Sequence, residues 1–125
     1  MEHILTIFNA ERENEQLLLY PIEEWPDTEW HKLKDGMRML ADSDALTFVY
    51  VLDLDGEFIQ LRLPSQIWPQ LAEAYTHEWS VSVSGPKRVP LTHFHEEMNY
   101  LLSNIAGNGN YGTEMVDKVE KTFQL

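Results

Sequence analysis

Strand-like runs dominate the first half of the chain, and sustained helical spacing enters only after Pro64. His3-Ile-Leu-Thr-Ile-Phe8 is rich in β-formers, residues 9–14 are polar, and Gln16-Leu-Leu-Leu-Tyr20 runs back to stop at Pro21. That pattern predicts an N-terminal hairpin with a polar loop over 9–14. Residues 21–44 are less regular: Pro26, Thr28 and Gly36 bracket one or two helical turns, and Met37-Arg-Met-Leu40 reads as a short strand. Residues 46–52 are apolar on both faces, as in a central strand. Asp55-Gly56 then supplies the positive φ angles of a tight hairpin turn. In the return strand Ile59, Leu61 and Leu63 alternate with Phe58, Gln60 and Arg62, so one face is buried.

Pro64-Ser65 ends that strand. A helix to about His77 follows, with Trp68, Leu71 and Tyr75 inward and Pro69 confined to its first turn. Residues 78–84 alternate strictly, Trp79, Val81 and Val83 against Glu78, Ser80, Ser82 and Ser84, which predicts a strand with a wet, hydroxylated face. Gly85-Pro86 turns the chain, and residues 88–91 return beside it. Thr92 is a good N-cap for a helix carrying Phe94, Met98, Leu101 and Ile105 inward, with Gly107 at its C′ position. A last helix spans residues 113–123, with Val116, Val119 and Phe123 inward. The expected class is α+β: a mostly antiparallel sheet of five to seven strands with two or three helices packed on one face, formed by residues 1–125 as a single domain.

Charge changes this picture most. Nine Lys and Arg stand against 21 Asp and Glu, a net charge of −12. The longest basic run is Lys87-Arg88, so the chain lacks the footprint that neutralises phosphates. Nucleic acid and anionic membrane are poor partners; a basic protein fits better. The absence of cysteine removes disulfides, thiolate metal sites and Cys nucleophiles together. Met1-Glu2-His3 does not open a signal peptide, and the apolar run at 45–52 is far short of the ~20 residues that span a bilayer. The expectation is a cytoplasmic protein.

Three motifs invite chemistry. Gly107-Asn-Gly-Asn-Tyr-Gly112 has the letters of a dinucleotide fingerprint, but a helix precedes it where a strand is required. It reads as a helix C-cap, a turn and a helix start. Asp53-Leu-Asp55-Gly56-Glu57 resembles a calcium-loop fragment, yet Arg62 stands where the bidentate Glu belongs, so the hairpin turn accounts for it. His93-Phe-His95-Glu96-Glu97 is the candidate for acid–base work, through His93, Glu96 and Glu97. Residues two apart on a helix point about 200° apart, so His93 and His95 cannot share a metal if the helix begins at Thr92. No metal site and no cofactor is expected.

Residues 11–29 carry seven acids against one base, interleaved with Tyr20, Ile22, Trp25 and Trp30. That composition suits an acidic, aromatic surface for a basic partner, with Glu23, Glu24, Trp25 and Trp30 as binding residues. The function expected first is a non-enzymatic interaction or binding module. A small, metal-dependent enzyme using His93, Glu96 and Glu97 is the alternative, and an acidic mimic of nucleic acid a third, since residues 1–62 hold −9 of the charge. Helices on one sheet face leave the other face or an edge bare, so a homodimer is expected there, bringing Trp25, Trp30 or Trp79 into contact.

Trp68-Pro-Gln-Leu71, Phe94-His-Glu-Glu97, Gly107-Asn-Gly-Asn-Tyr-Gly-Thr-Glu-Met115 and the preceding Asp42-Ser-Asp44 resemble the YjbL-like family of small acidic proteins from Bacillus and relatives. The resemblance is densest over residues 40–125. It implies one cytoplasmic domain from a low-GC Gram-positive bacterium and carries no catalytic residue over to this chain.

Overall fold

The computed structural model describes residues 3–125. Strands β1 (Ile4–Glu13) and β2 (Gln16–Pro21) form the hairpin, turning at Asn14, whose φ is 56°. The polar stretch 9–14 is therefore mostly strand rather than loop. A bulge between Ile7 and Asn9 shifts the register, and beyond it only Ala10 turns into the core while the polar side chains stay outside. Residues 21–44 resolve into one helical turn, α1 (Asp27–Trp30), and the ten-residue β3 (Leu33–Asp42). β3 was legible only as a short strand because it is broken by a second bulge, at Gly36-Met37, where Met37 has a φ of 63°.

β4 (Thr47–Leu54) and β5 (Glu57–Pro64) form the expected hairpin, with φ of 51° at Asp55 and 86° at Gly56. A 3₁₀ turn at Ser65–Ile67 leads into α2 (Trp68–His77), and β6 (Ser80–Val83) pairs with the short β7 (Val89–Pro90). α3 (Phe94–Ile105) and α4 (Thr113–Phe123) complete the chain. The sheet order is β3-β4-β5-β1-β2-β6-β7. β1–β5 and β2–β6 are parallel and the other four pairs antiparallel. The class is α+β as expected, with three helices of ten residues or more and the single turn α1.

Helices α2, α3 and α4 lie on one face of the strongly curved sheet. Leu5, Ile7, Phe48, Tyr50, Leu52, Ile59, Leu61 and Leu63 point into one core with Trp68, Phe94, Met98, Ile105 and Val119. Trp68 anchors it: its ring stacks on Phe48 at 4.4 Å between centroids, and its Nε1–H donates to the Leu63 carbonyl at 2.9 Å. An aromatic stack of this kind adds about 0.5–1.5 kcal/mol beyond the area buried. Two expectations need correction. The serine face of β6 is not wet throughout, because Ser82 is buried between β2 and β7. Thr92 does not cap α3; His93 occupies that position, because the Thr92 hydroxyl is drawn away to Asp35.

Candidate functional site

Three groups of side chains carry polar chemistry. The first sits where the end strand β3 meets the start of α3. Asp35 Oδ1 accepts from the Tyr50 hydroxyl at 2.7 Å and the Met37 amide at 2.7 Å. Its Oδ2 accepts from the Thr92 amide at 2.9 Å and the Thr92 hydroxyl at 2.8 Å. The bulge makes this possible, and only glycine fits it: a Cβ on Gly36 would lie 2.4 Å from the Val51 carbonyl oxygen. Burial pushes the Asp35 carboxyl up, but hydrogen bonds from Tyr50, Thr92, Met37 and His93 outweigh that and hold it below its ordinary value. Burial, then the hydrogen bond to Asp35 and its charge, raise Tyr50. Four donors fill the roughly four lone-pair sites of a carboxylate, which leaves Asp35 no capacity as a base.

The His93–Glu96–Glu97 candidates meet this knot only in part. His93 Nδ1 lies 3.5 Å from Asp35 Oδ2. Glu97 Oε1 accepts from the Met39 amide at 2.8 Å and so caps a free N–H of β3. Glu96 is exposed on the next helical position. The three are not gathered around one reacting position. His95 turns elsewhere: its Nε2 is 2.5 Å from the Trp79 carbonyl oxygen, and it borders a small cleft with Tyr75 and Asn99, whose side chains are hydrogen-bonded at 3.0 Å. Among the described residues no group of three His, Asp or Glu side chains is placed to hold a metal ion.

The third group is the acidic, aromatic one. Phe8, Tyr20, Pro21, Glu24, Trp25 and Trp30 line a cleft of about 300 Å³. Phe8 is 59% exposed because the β1 bulge turns it outward. Trp25 is half-buried against Trp30, at 6.4 Å and 50° between ring planes. Trp30 is buried on the Gly85 backbone, where a Cβ would come within 2.9 Å of its ring. Glu23 Oε1 accepts from the Thr6 amide at 2.5 Å, which fixes the segment to β1. That leaves Glu24 as the exposed carboxylate of the rim. The structure thus brings all four expected binding residues together but divides their work: Trp30 and Glu23 build the cleft, Trp25 and Glu24 present it. Trp30 and Trp79 cannot meet a second copy as expected. The first is covered by its own chain, and the second lies under the Arg12 guanidinium, 4.1 Å from the ring centre, and beside His77.

The glycine-rich segment behaves as read. Gly107 and Gly112 take φ of 68° and 87° around a 3₁₀ turn at Gly109–Tyr111, and Glu120 Oε2 already accepts from the Gly107 amide at 2.9 Å. The chain's own carboxylate fills the place an anion would take. Asp53 Oδ1 likewise accepts from Gly56 N at 2.8 Å, closing the hairpin turn.

Asp35 was missed in the sequence. Its one signal was indirect: an inward Tyr in a central strand needs a partner for its hydroxyl.

No helix is long and apolar enough to cross a membrane. UPF0738, a family of unknown function, matches residues 5–123. The UPF0738 protein YjbL of Bacillus subtilis is 36% identical over 98% of this chain and 99% of its own. A UPF0738 protein of Geobacillus sp. strain WCH70 is 35% identical over 98% of both, and one of Bacillus velezensis 42% identical over 72% of this chain and 74% of its own. No solved structure matches.

Proposed function

The chain belongs to UPF0738, and from that premise we propose that it is a non-enzymatic protein-interaction module of the cytoplasm. It holds a basic segment of a partner protein in the cleft of Phe8, Glu24 and Trp25. The observation that carries this reading is the pairing of exposed aromatic surface with an unengaged carboxylate on one rim. An aromatic ring beside a carboxylate suits a Lys or Arg side chain, whose stem covers the ring while its head reaches the acid. The surrounding segment, −6 over residues 11–29, attracts such a partner before contact. The saturated Asp35 and the divergence of His93, Glu96 and Glu97 favour binding over catalysis.

The test is a tryptophan-fluorescence titration with a library of short Lys/Arg-rich peptides, each carrying one apolar residue. Binding is expected to weaken about tenfold or more in Trp25→Ala and in Glu24→Lys, and to fall with added salt. Failure of every peptide to bind overturns the proposal, as does binding that neither substitution changes.

A further inference from the structure

The helices cover the inner face of the sheet and leave the outer face of β3, β4 and β5 without a layer over it, although Thr47 and Val49 there are buried among their neighbours. Register places its side chains in rows: Lys34, Asp53 and Phe58; Arg38, Val51 and Gln60; Leu40, Val49 and Arg62; Asp42, Thr47 and Pro64. Between them lies a largely apolar groove of about 470 Å³, floored by Val49 and Val51. Leu40 is 45% and Phe58 75% exposed beside it. Face-to-face sheets bury such rows against one another about 10 Å apart.

Charge identifies the occupant. The chain is −12 overall, yet this face sets Lys34, Arg38 and Arg62 against only Asp42 and Asp53. Here two copies can meet without the repulsion that the rest of the surface imposes. The rows are also self-complementary. A two-fold axis crossing the strands between the Val49 and Val51 rows sets Val51 against the partner's Val49 and Lys34 against the partner's Asp42. Symmetry repeats both contacts, as a two-fold interface requires. Edge-to-edge pairing through β3 is obstructed by the chain itself: Glu97 takes the Met39 amide, and Lys87 Nζ donates to the Leu33 carbonyl at 3.3 Å.

We propose that the outer face of β3, β4 and β5 is a homodimer interface, filled by the same face of a second copy. It is separate from the cleft of Phe8 and Trp25, and either proposal can fail without the other.

Light scattering of the full chain at high micromolar concentration, with circular dichroism as the check on folding, tests it. The wild type is expected at twice the 14.6 kDa chain mass. Leu40→Glu and Phe58→Glu, both at exposed positions, are expected to run as folded monomers. Tyr100→Glu, 67% exposed on α3, is expected to remain dimeric. Lys34→Glu, which creates two like-charged pairs across the axis, is expected to weaken association about tenfold. A monomeric wild type overturns the proposal, and so does a dimer that both Leu40→Glu and Phe58→Glu leave intact.

Discussion

Replacing Asp35 by Ala removes the acceptor for four donors, but the donors do not lose equally. Thr92 and Met37 are exposed and recover water. Tyr50 is 0% exposed, and its hydroxyl is left in the core without the acceptor it has now. An unsatisfied buried hydroxyl costs about 1–3 kcal/mol, and losing charge-assisted bonds at partly exposed donors adds about 1 kcal/mol. The expected loss is therefore about 3 kcal/mol. For a chain of this size that lowers Tm by roughly 10–15 °C. Urea denaturation followed by circular dichroism measures it. Tyr50→Phe in the Asp35→Ala background removes the stranded hydroxyl and is expected to restore about 1–2 kcal/mol, so the pair is coupled. A loss below about 1 kcal/mol for Asp35→Ala, or strictly additive effects of the two changes, would refute the argument that Asp35 matters through Tyr50. The knot also sets a pH dependence. Folding holds the Asp35 carboxyl below its ordinary value, so its stabilisation is full above the unfolded value of about 3.9 and is lost as pH falls through the folded value. The stability gap between wild type and Asp35→Asn is accordingly expected to be constant near neutrality and to close in acid.

Gly85→Ala drives a Cβ to 2.9 Å from the Trp30 ring and is expected to cost about 1–3 kcal/mol, visible as a lower urea midpoint and a shifted tryptophan emission. Gly36→Ala, at 2.4 Å from a backbone oxygen that cannot swing aside, is expected to cost more than Gly85→Ala in the same assay. His93→Ala is expected to change the urea midpoint little, within about 0.5 kcal/mol, because the ring is partly exposed and Asp35 keeps its four closer donors.

What the sequence reveals of this fold is what local pattern and turn chemistry decide. The β4–β5 hairpin was legible because a continuous apolar run and an alternating return strand frame Asp55-Gly56, and α4 because Val116 and Val119 recur at helical spacing after Gly112. β3 was not. Between the inward Leu33 and Met39 stand an inward carboxylate, Asp35, and the bulged Gly36-Met37, so no run of alternating apolar residues marks the strand. The parallel pairs β1–β5 and β2–β6 were illegible for another reason. Each joins strands distant in the chain, and no dipeptide records such a pairing. The cleft shows both limits. Its composition was readable in residues 11–29, but the division between Glu23, spent on a backbone amide, and Glu24, left free, depends on where β1 bulges.

β3 also explains why this small acidic chain has a bare sheet face beside a partly covered edge. An end strand of ten residues offers a row of unpaired backbone groups that would recruit another strand. Here Lys87 donates to the Leu33 carbonyl and Glu97 accepts from the Met39 amide, while the Asp35 side chain reaches out to Thr92. The same contacts tie the chain around β7 to β3 at the other end of the sheet. They fasten α3 from the inner side, so nothing from α3 covers Leu40 and Phe58 on the outer side. Obstructing the edge and exposing the face are thus two consequences of one arrangement. Loosening the Asp35 knot should disturb the rows of the outer face before it touches the cleft of Phe8 and Trp25, which rests on β1, Gly85 and the Glu23–Thr6 bond instead.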